Sequence, residues 1–170
     1  AIVGRQSVVL TNAPGGTGKT NLEAIAAISF FQAGESVIIC SHSNKALDVL
    51  MKKVVDRNVI PRDQMFRLGN NPNSITDPKL TQFHRSLRFA DNNSEREVYR
   101  IIDLVHGQIK PLVVFVTLDS LILDSTARAL KDKITFFAGI LDEATRAYIH
   151  EVYPLVAWVK EKLILLFYHQ

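Results

Sequence analysis

The octapeptide Ala13-Pro14-Gly15-Gly16-Thr17-Gly18-Lys19-Thr20 combines glycines, a lysine and a hydroxyl at a spacing suited to phosphate. Gly15, Gly16 and Gly18 let the backbone curl, so that successive N–H groups, with those of Pro14's neighbours and Thr17, point inward at phosphate oxygens. A helix opening at Gly18 adds the positive end of its dipole. Lys19 would then reach the β- and γ-phosphates of ATP, and the Thr20 hydroxyl would ligate Mg²⁺. Ala13 stands where such loops usually carry their first glycine, which an alanine can replace if φ stays negative there. The competing reading is a glycine-rich turn that binds nothing.

A second group is Asp142-Glu143, directly after the apolar run FFAGIL. An acid at the end of a buried strand is costly unless it has a partner or a task. Beside a bound nucleotide the tasks are evident: Asp142 holds Mg²⁺, and Glu143 orients or deprotonates the attacking water. The competing reading is a pair of acids favouring the first turn of the next helix.

Residues with this chemistry need strands and helices in alternation to hold them. Strands are expected at Ser7–Thr11, Ser36–Ser41, Met65–Leu68, Leu112–Thr117, Phe136–Leu141 and Leu163–Phe167. Helical spacing of apolar residues covers 18–33, Asn44–Val55, Ser120–Leu130 and 144–159. Strands that are apolar throughout, separated by helices, predict an α/β protein with a parallel sheet covered on both faces, three layers in all. Ligands of such sheets collect beyond the carboxyl ends of the strands, after Thr11, Ser41, Thr117 and Leu141. The polar stretch Gly69–Ser94, with helical segments at Lys79–Phe89 and Glu95–Gln108, reads as an insertion at about 69–109 within a single domain spanning 1–170.

Composition narrows the class. The 170 residues are 47% hydrophobic and 22% charged, an ordinary globular balance. The net charge of +3 is uneven: residues 1–85 carry ten basic and six acidic groups, residues 86–170 ten and eleven. A basic half is compatible with a nucleic-acid groove and equally with solvated helix faces. The single cysteine, Cys40, forms no internal disulfide and reads as an inert core residue, which favours an intracellular setting, cytoplasmic or nuclear. The apolar runs fall short of the ~20 residues that span a membrane, so no membrane partner is expected. The five histidines lack zinc-ligand spacing. Phe83, His84 and Phe89 offer rings either for base stacking or for packing. A chain opening on Ala1 is expected to be a piece of a longer one.

The ordered set GGTGKT, SHSNKALDVL (41–50), RLGN (67–70), FVTLDSL (115–121) and LDEATRA (141–147) resembles superfamily 1 helicases, in particular the group containing the nonsense-mediated-decay helicase and senataxin. The resemblance implies the first of two RecA-like lobes of an ATPase acting on single-stranded RNA or DNA. It implies that Ser43 and Asn44 touch the nucleic-acid backbone and that Thr117 makes a second such contact. Read from the residues alone, Ser43 is also a helix N-cap, and the two roles are compatible. Arg146 replaces the glutamine of the family's DEAxQ, where it either contacts the γ-phosphate or disturbs the water. The family's Gly-Asp-x-x-Gln motif is not recognisable around Leu166, Phe167 and Tyr168. A second lobe, in a longer chain or a partner, would supply arginine fingers, so the isolated chain is expected to be weakly active or inactive. The rival readings are a degenerate lobe that only scaffolds, and a P-loop NTPase with no nucleic-acid role.

Overall fold

The computed structural model describes residues 7–14, 18–69, 72–84, 111–124, 127 and 135–169. Strands β1 (Ser7–Pro14), β2 (Val37–Ser41), β3 (Met65–Arg67), β4 (Val113–Thr117), β5 (Phe136–Asp142) and β6 (Val159–His169) form one sheet in the order β1-β6-β5-β2-β4-β3. Every neighbouring pair is parallel. The described α-helices are α1 (Lys19–Gln32), α2 (Asn44–Val55), α3 (Pro78–Thr81), α4 (Leu118–Leu123) and α5 (Ile149–Trp158). Among the described residues no helix is long and apolar enough to cross a membrane.

The three layers follow from strands buried on both sides. Alternate residues of β2 and β4 divide between two cores. Ile38, Cys40, Val114 and Val116 pack with Leu118, Leu121, Leu155 and Trp158 of α4 and α5. Val37, Ile39, Val113 and Phe115 pack with Ala24, Ala27 and Ile28 of α1 and Leu47, Leu50 and Met51 of α2. Phe136 stacks on Trp158, their centroids 5.8 Å apart.

Several elements depart from the expected boundaries, each for a local reason. The expected helix over 144–159 is a 3₁₀ turn, Ala144–Arg146, followed by α5. Glu143 enters that turn in the left-handed region, and Ala147 leaves it extended at ψ 135°. Helicity restarts where the Glu151 carboxylate accepts a 2.7 Å hydrogen bond from the Tyr148 N–H. The helix expected over Ser120–Leu130 begins at Leu118, because the Thr117 hydroxyl caps it, and is interrupted after Leu123, where Asp124 turns extended at ψ 123°. Ala127 is again helical, and 125–126 and 128–130 lie outside the described residues. Strands β1 and β6 outrun their apolar cores because they pair with each other over eight residues, Ser7↔Lys162 to Pro14↔His169. Leu166, Phe167 and Tyr168, where the Gly-Asp-x-x-Gln motif was sought, are therefore backbone-paired strand residues.

Between β3 and β4, Ile75, Leu80 and Phe83 join the core beneath α2. Phe83 and His84 are both buried, so of their two readings packing holds and base stacking does not. Phe89 and the expected helix Glu95–Gln108 lie outside the described residues, as does the part of Lys79–Phe89 beyond His84.

Gly139 of β5 is the tightest close approach in the sheet. A Cβ there would stand 2.5 Å from Val159 Cγ2 and 3.3 Å from Leu155 Cδ1. Gly139→Ala is thus expected to lower stability by about 1–3 kcal/mol, the usual cost of overpacking. Urea denaturation of the two proteins measures this directly, and an unchanged midpoint would contradict the packing described.

Candidate functional site

The carboxyl ends of three central strands lie in register: Ser41 of β2 pairs with Asp142 of β5 on one side and with Thr117 of β4 on the other. Polar groups in this row stand where the sheet stops and the apolar cores no longer need them excluded. Next to the row, Lys19 and Thr20 of α1, Ser43 and Lys45 at the start of α2, and Asp142 and Glu143 after β5 line one pocket of about 320 Å³. Residues far apart in sequence are brought together there.

Local backbone explains how each is aimed. Gly18 caps α1 at φ 84°, ψ 21°, a left-handed conformation that costs glycine nothing. Lys19 and Thr20 are then the first two helical residues. No acid occupies the first turn of α1, so its dipole end is uncompensated. Gly15, Gly16 and Thr17 lie outside the described residues, and Pro14 is placed by its backbone as the last residue of β1. Glu143, at φ 56°, is one of two non-glycine residues with positive φ among those described. Such a conformation is uncommon and marks a place where the surroundings dictate the turn. Arg146 is placed by its backbone at the end of the 3₁₀ turn, and its side chain lies outside the description.

Electrostatics at the pocket are dominated by carboxyls that share too little solvent. Asp142 is 8% exposed, and its Oδ1 accepts the Glu143 N–H at 2.9 Å. Glu23, one turn beyond Lys19, is 1% exposed. Burial raises the Glu23 pKa from 4.5 to about 8, and the neighbouring Asp142 carboxyl adds to the rise. Burial also raises Asp142, and the charge of Glu143 adds to the rise, while the charge of Lys19 pulls it back. Both Glu23 carboxyl oxygens are buried without a hydrogen-bond partner among the described residues. Glu23 therefore carries the proton of the pair at neutral pH. A divalent cation fits this chemistry, because it would offset the negative charge crowded at Asp142 and Glu143.

The residues expected to meet a nucleic-acid strand are distributed differently. The Ser43 Oγ accepts the Ala46 N–H at 3.2 Å, so its capping role is realised, and Ser43 also lines the pocket. Thr117, 5% exposed, accepts the Ser120 N–H at 3.2 Å and donates to Ser120 Oγ at 2.9 Å. Asn44 is exposed and is the first residue of α2. Neither Asn44 nor Thr117 lines the pocket.

The sequence matches the family model described as AAA domain, AAA_11, over residues 1–113. The chain belongs to this AAA domain family. Comparison with curated proteins finds no match. Among solved structures, the UvsW helicase from bacteriophage T4 matches 95% of this chain, with a TM-score of 0.58 and 13% identity. At that identity the likeness is one of fold, a parallel α/β sheet between helices. The chain spans 46% of the length of the UvsW chain.

Three charged residues of the AAA domain that support the site were not singled out from sequence. Glu23 occupies the face of α1 that buries Ala24 and Ala27, and an acid on an apolar helix face was a readable signal. Arg67, between Phe66 and Leu68, is a charge within a buried strand. Its Nη2 donates to Asn44 Oδ1 at 2.7 Å and lies 3.8 Å from Asp48 Oδ1. Burial lowers the Arg67 pKa to about 10, offset in part by Asp48, so it stays charged at neutral pH. Asp48 in turn accepts the Thr76 N–H and Oγ1–H at 2.9 and 3.1 Å. Arg67 thus anchors the first turn of α2 to the edge of the sheet. Lys45 carried no signal at all, since a lysine in an exposed helical turn is unremarkable.

The Glu23 shift sets a direction for stability against pH. Its folded-state pKa of about 8 lies above the 4.5 of the free group, so the folded protein holds a proton that the unfolded chain has released. That stabilisation is complete below pH 4.5 and declines as pH rises towards 8. The slope cannot exceed about 1.4 kcal/mol per pH unit for one proton. Thermal melts from pH 5 to 8 should show the decline in the wild type. They should show a flatter profile in Glu23→Gln, whose amide carries no titrating proton.

Proposed function

We propose that the chain is the ATP-binding lobe of a superfamily 1 helicase-like ATPase acting on single-stranded RNA or DNA, in the group that contains the nonsense-mediated-decay helicase and senataxin. The observation that carries this reading is the convergence of Lys19, Thr20, Asp142 and Glu143 on one pocket at the carboxyl end of a parallel sheet. AAA family membership and the helicase-type fold support it.

In this reading Lys19 binds the β- and γ-phosphates, and the backbone of 14–18 cradles them. Thr20 and Asp142 hold Mg²⁺, which when bound offsets charge on the phosphate oxygens. Glu143 accepts the proton of the attacking water as the new bond to the γ-phosphorus forms and the bond to the bridging oxygen breaks. Glu23 keeps its proton beside the Asp142 carboxylate. Arg146, following the acids, is the local arginine of the site. Full turnover draws a further arginine from a second RecA-like lobe, in the full-length chain or a partner, worth about 10³–10⁵ in rate. The chain alone therefore hydrolyses ATP slowly.

Ser43 and Asn44 present a hydroxyl and an amide at the end of β2 and are the principal nucleic-acid contacts, with Thr117 at the neighbouring strand end. Arg67 engages the Asn44 carbonyl oxygen and holds that side chain at the start of α2. Hydroxyl and amide donors bond phosphate and sugar without reading sequence.

Two outcomes are expected. Calorimetry with Mg²⁺·ATP should show binding that Lys19→Ala weakens about ten- to a hundredfold, the range for a charged hydrogen bond. Glu143→Gln should bind as the wild type and lose its residual phosphate release. Equal affinity in wild type and Lys19→Ala would reject the phosphate-loop assignment. Fluorescence anisotropy with unrelated single strands should show similar affinities that fall with salt, log K dropping by roughly 0.7 per decade of salt for each phosphate engaged. Failure to bind any strand at low salt would leave an NTPase or scaffold without a nucleic-acid role.

A further inference from the structure

Helix α2 distributes its lysines in an unusual way. Lys52 and Lys53 occupy its last turn, where the negative end of the dipole favours cations. Lys45 occupies the first turn, where the positive end opposes it, and no acid in that turn compensates. Lys52 is paired with Asp77 at 3.0 Å. Lys45, exposed, has neither a hydrogen bond nor an ion pair among the described residues.

The acids on the outer side of α2 do not account for it. Lys45 borders a groove that also contains Asp48 and Asp77. Asp48 is engaged by Thr76 and faces Arg67, and Asp77 accepts from Lys52 and from the Lys79 N–H. On its inner side Lys45 lines the 320 Å³ pocket with Lys19, Thr20, Asp142 and Glu143. Lysines from two different helices thus border the same space, one from α1 and one from α2, with the two acids of β5 in its lining. The first turn of α2 is held in place by the Arg67–Asn44 hydrogen bond and the Ser43 cap, so the Lys45 backbone is fixed while its side chain is uncommitted.

We infer that Lys45 contacts the terminal phosphate of a bound nucleoside triphosphate and makes the site discriminate triphosphate from diphosphate. The inference rests on the nucleotide-binding reading above and adds to it the residue that reads the γ-phosphate from the α2 side. Lys19 enters from the end of the phosphate loop and serves both β- and γ-phosphates. Lys45 borders the same space from α2, with Asp142 and Glu143 in its lining. Its unfavourable place on the helix dipole is what a bound anion would relieve.

The test compares a non-hydrolysable ATP analogue with ADP, both with Mg²⁺, by calorimetry on the wild type, Lys45→Ala, Lys45→Arg and Lys19→Ala. Lys45→Ala should narrow the preference for triphosphate by about tenfold, the scale of one charge-assisted contact, with ADP affinity unchanged. Lys45→Arg should retain most of the preference. A thermal melt of Lys45→Ala no lower than that of the wild type is expected, since a dipole-opposed charge has been removed. An unchanged triphosphate preference in Lys45→Ala, or an equal loss for both nucleotides, overturns the inference. So does an unchanged preference with weakened single-strand binding, which would put Lys45 on the nucleic acid. Lys19→Ala separates the two levels: if it binds both nucleotides as the wild type does, the nucleotide reading itself fails.

Discussion

A parallel sheet covered on both faces leaves chemistry nowhere to go except the ends of its strands. The two cores consume every side chain of β2 and β4 down to Cys40 and Val116, and polar groups appear only where the strands run out. The register then decides which of them meet. Because β2 pairs with both β4 and β5, Asp142, Ser41 and Thr117 fall in one row, and the helices that follow β2 and β4 begin beside it. The hydroxyls of Thr117 and of Ser43, two residues past β2, are drawn into capping, since each new helix must satisfy its first N–H groups. The pocket is therefore a by-product of topology first and of side-chain choice second.

Side-chain choice enters through charges placed where a core would not ordinarily accept them. Glu23 and Arg67 are both buried, one under each helix that borders the pocket. Glu23 is tolerated by keeping its proton beside Asp142. Arg67 is tolerated by its hydrogen bonds to Asn44 and to the Leu68 carbonyl and by the proximity of Asp48. Burying such groups costs more than an apolar residue would, which is weak grounds for calling them stabilisers. The value of Arg67 is geometric: it fixes the helix turn that carries Ser43, Asn44 and Lys45.

The sheet and its helices were largely legible in the sequence because burial on both faces leaves uninterrupted apolar runs such as Val37–Ser41 and Val113–Thr117. Helix α2 was readable to the residue, because Ser43 caps it and its apolar spacing is regular. Boundaries failed where backbone conformation, not hydrophobicity, decides them. The left-handed turn at Glu143 splits a run whose composition is helical throughout, and the mutual pairing of β1 and β6 extends both strands into polar residues. At the site, Lys19, Thr20, Asp142 and Glu143 were legible because phosphate chemistry demands those types in that context. Glu23 left a signal, an acid on an apolar helix face, but its significance, like that of Arg67 and Lys45, depends on which elements become neighbours in three dimensions, and local spacing does not carry that information.

Cys40 lies in β2, the strand flanked by β4 and β5 near the middle of the sheet, and is fully buried. Burial pushes its thiol well above the ordinary range, so the nucleophilic thiolate is scarcely present in the native state. As the chain's single cysteine, it makes the protein its own reporter of internal opening. Alkylation at Cys40 requires α4 and α5, which cover its face of the sheet, to lift away. Its rate thus measures the free energy of parting one helical layer from the sheet.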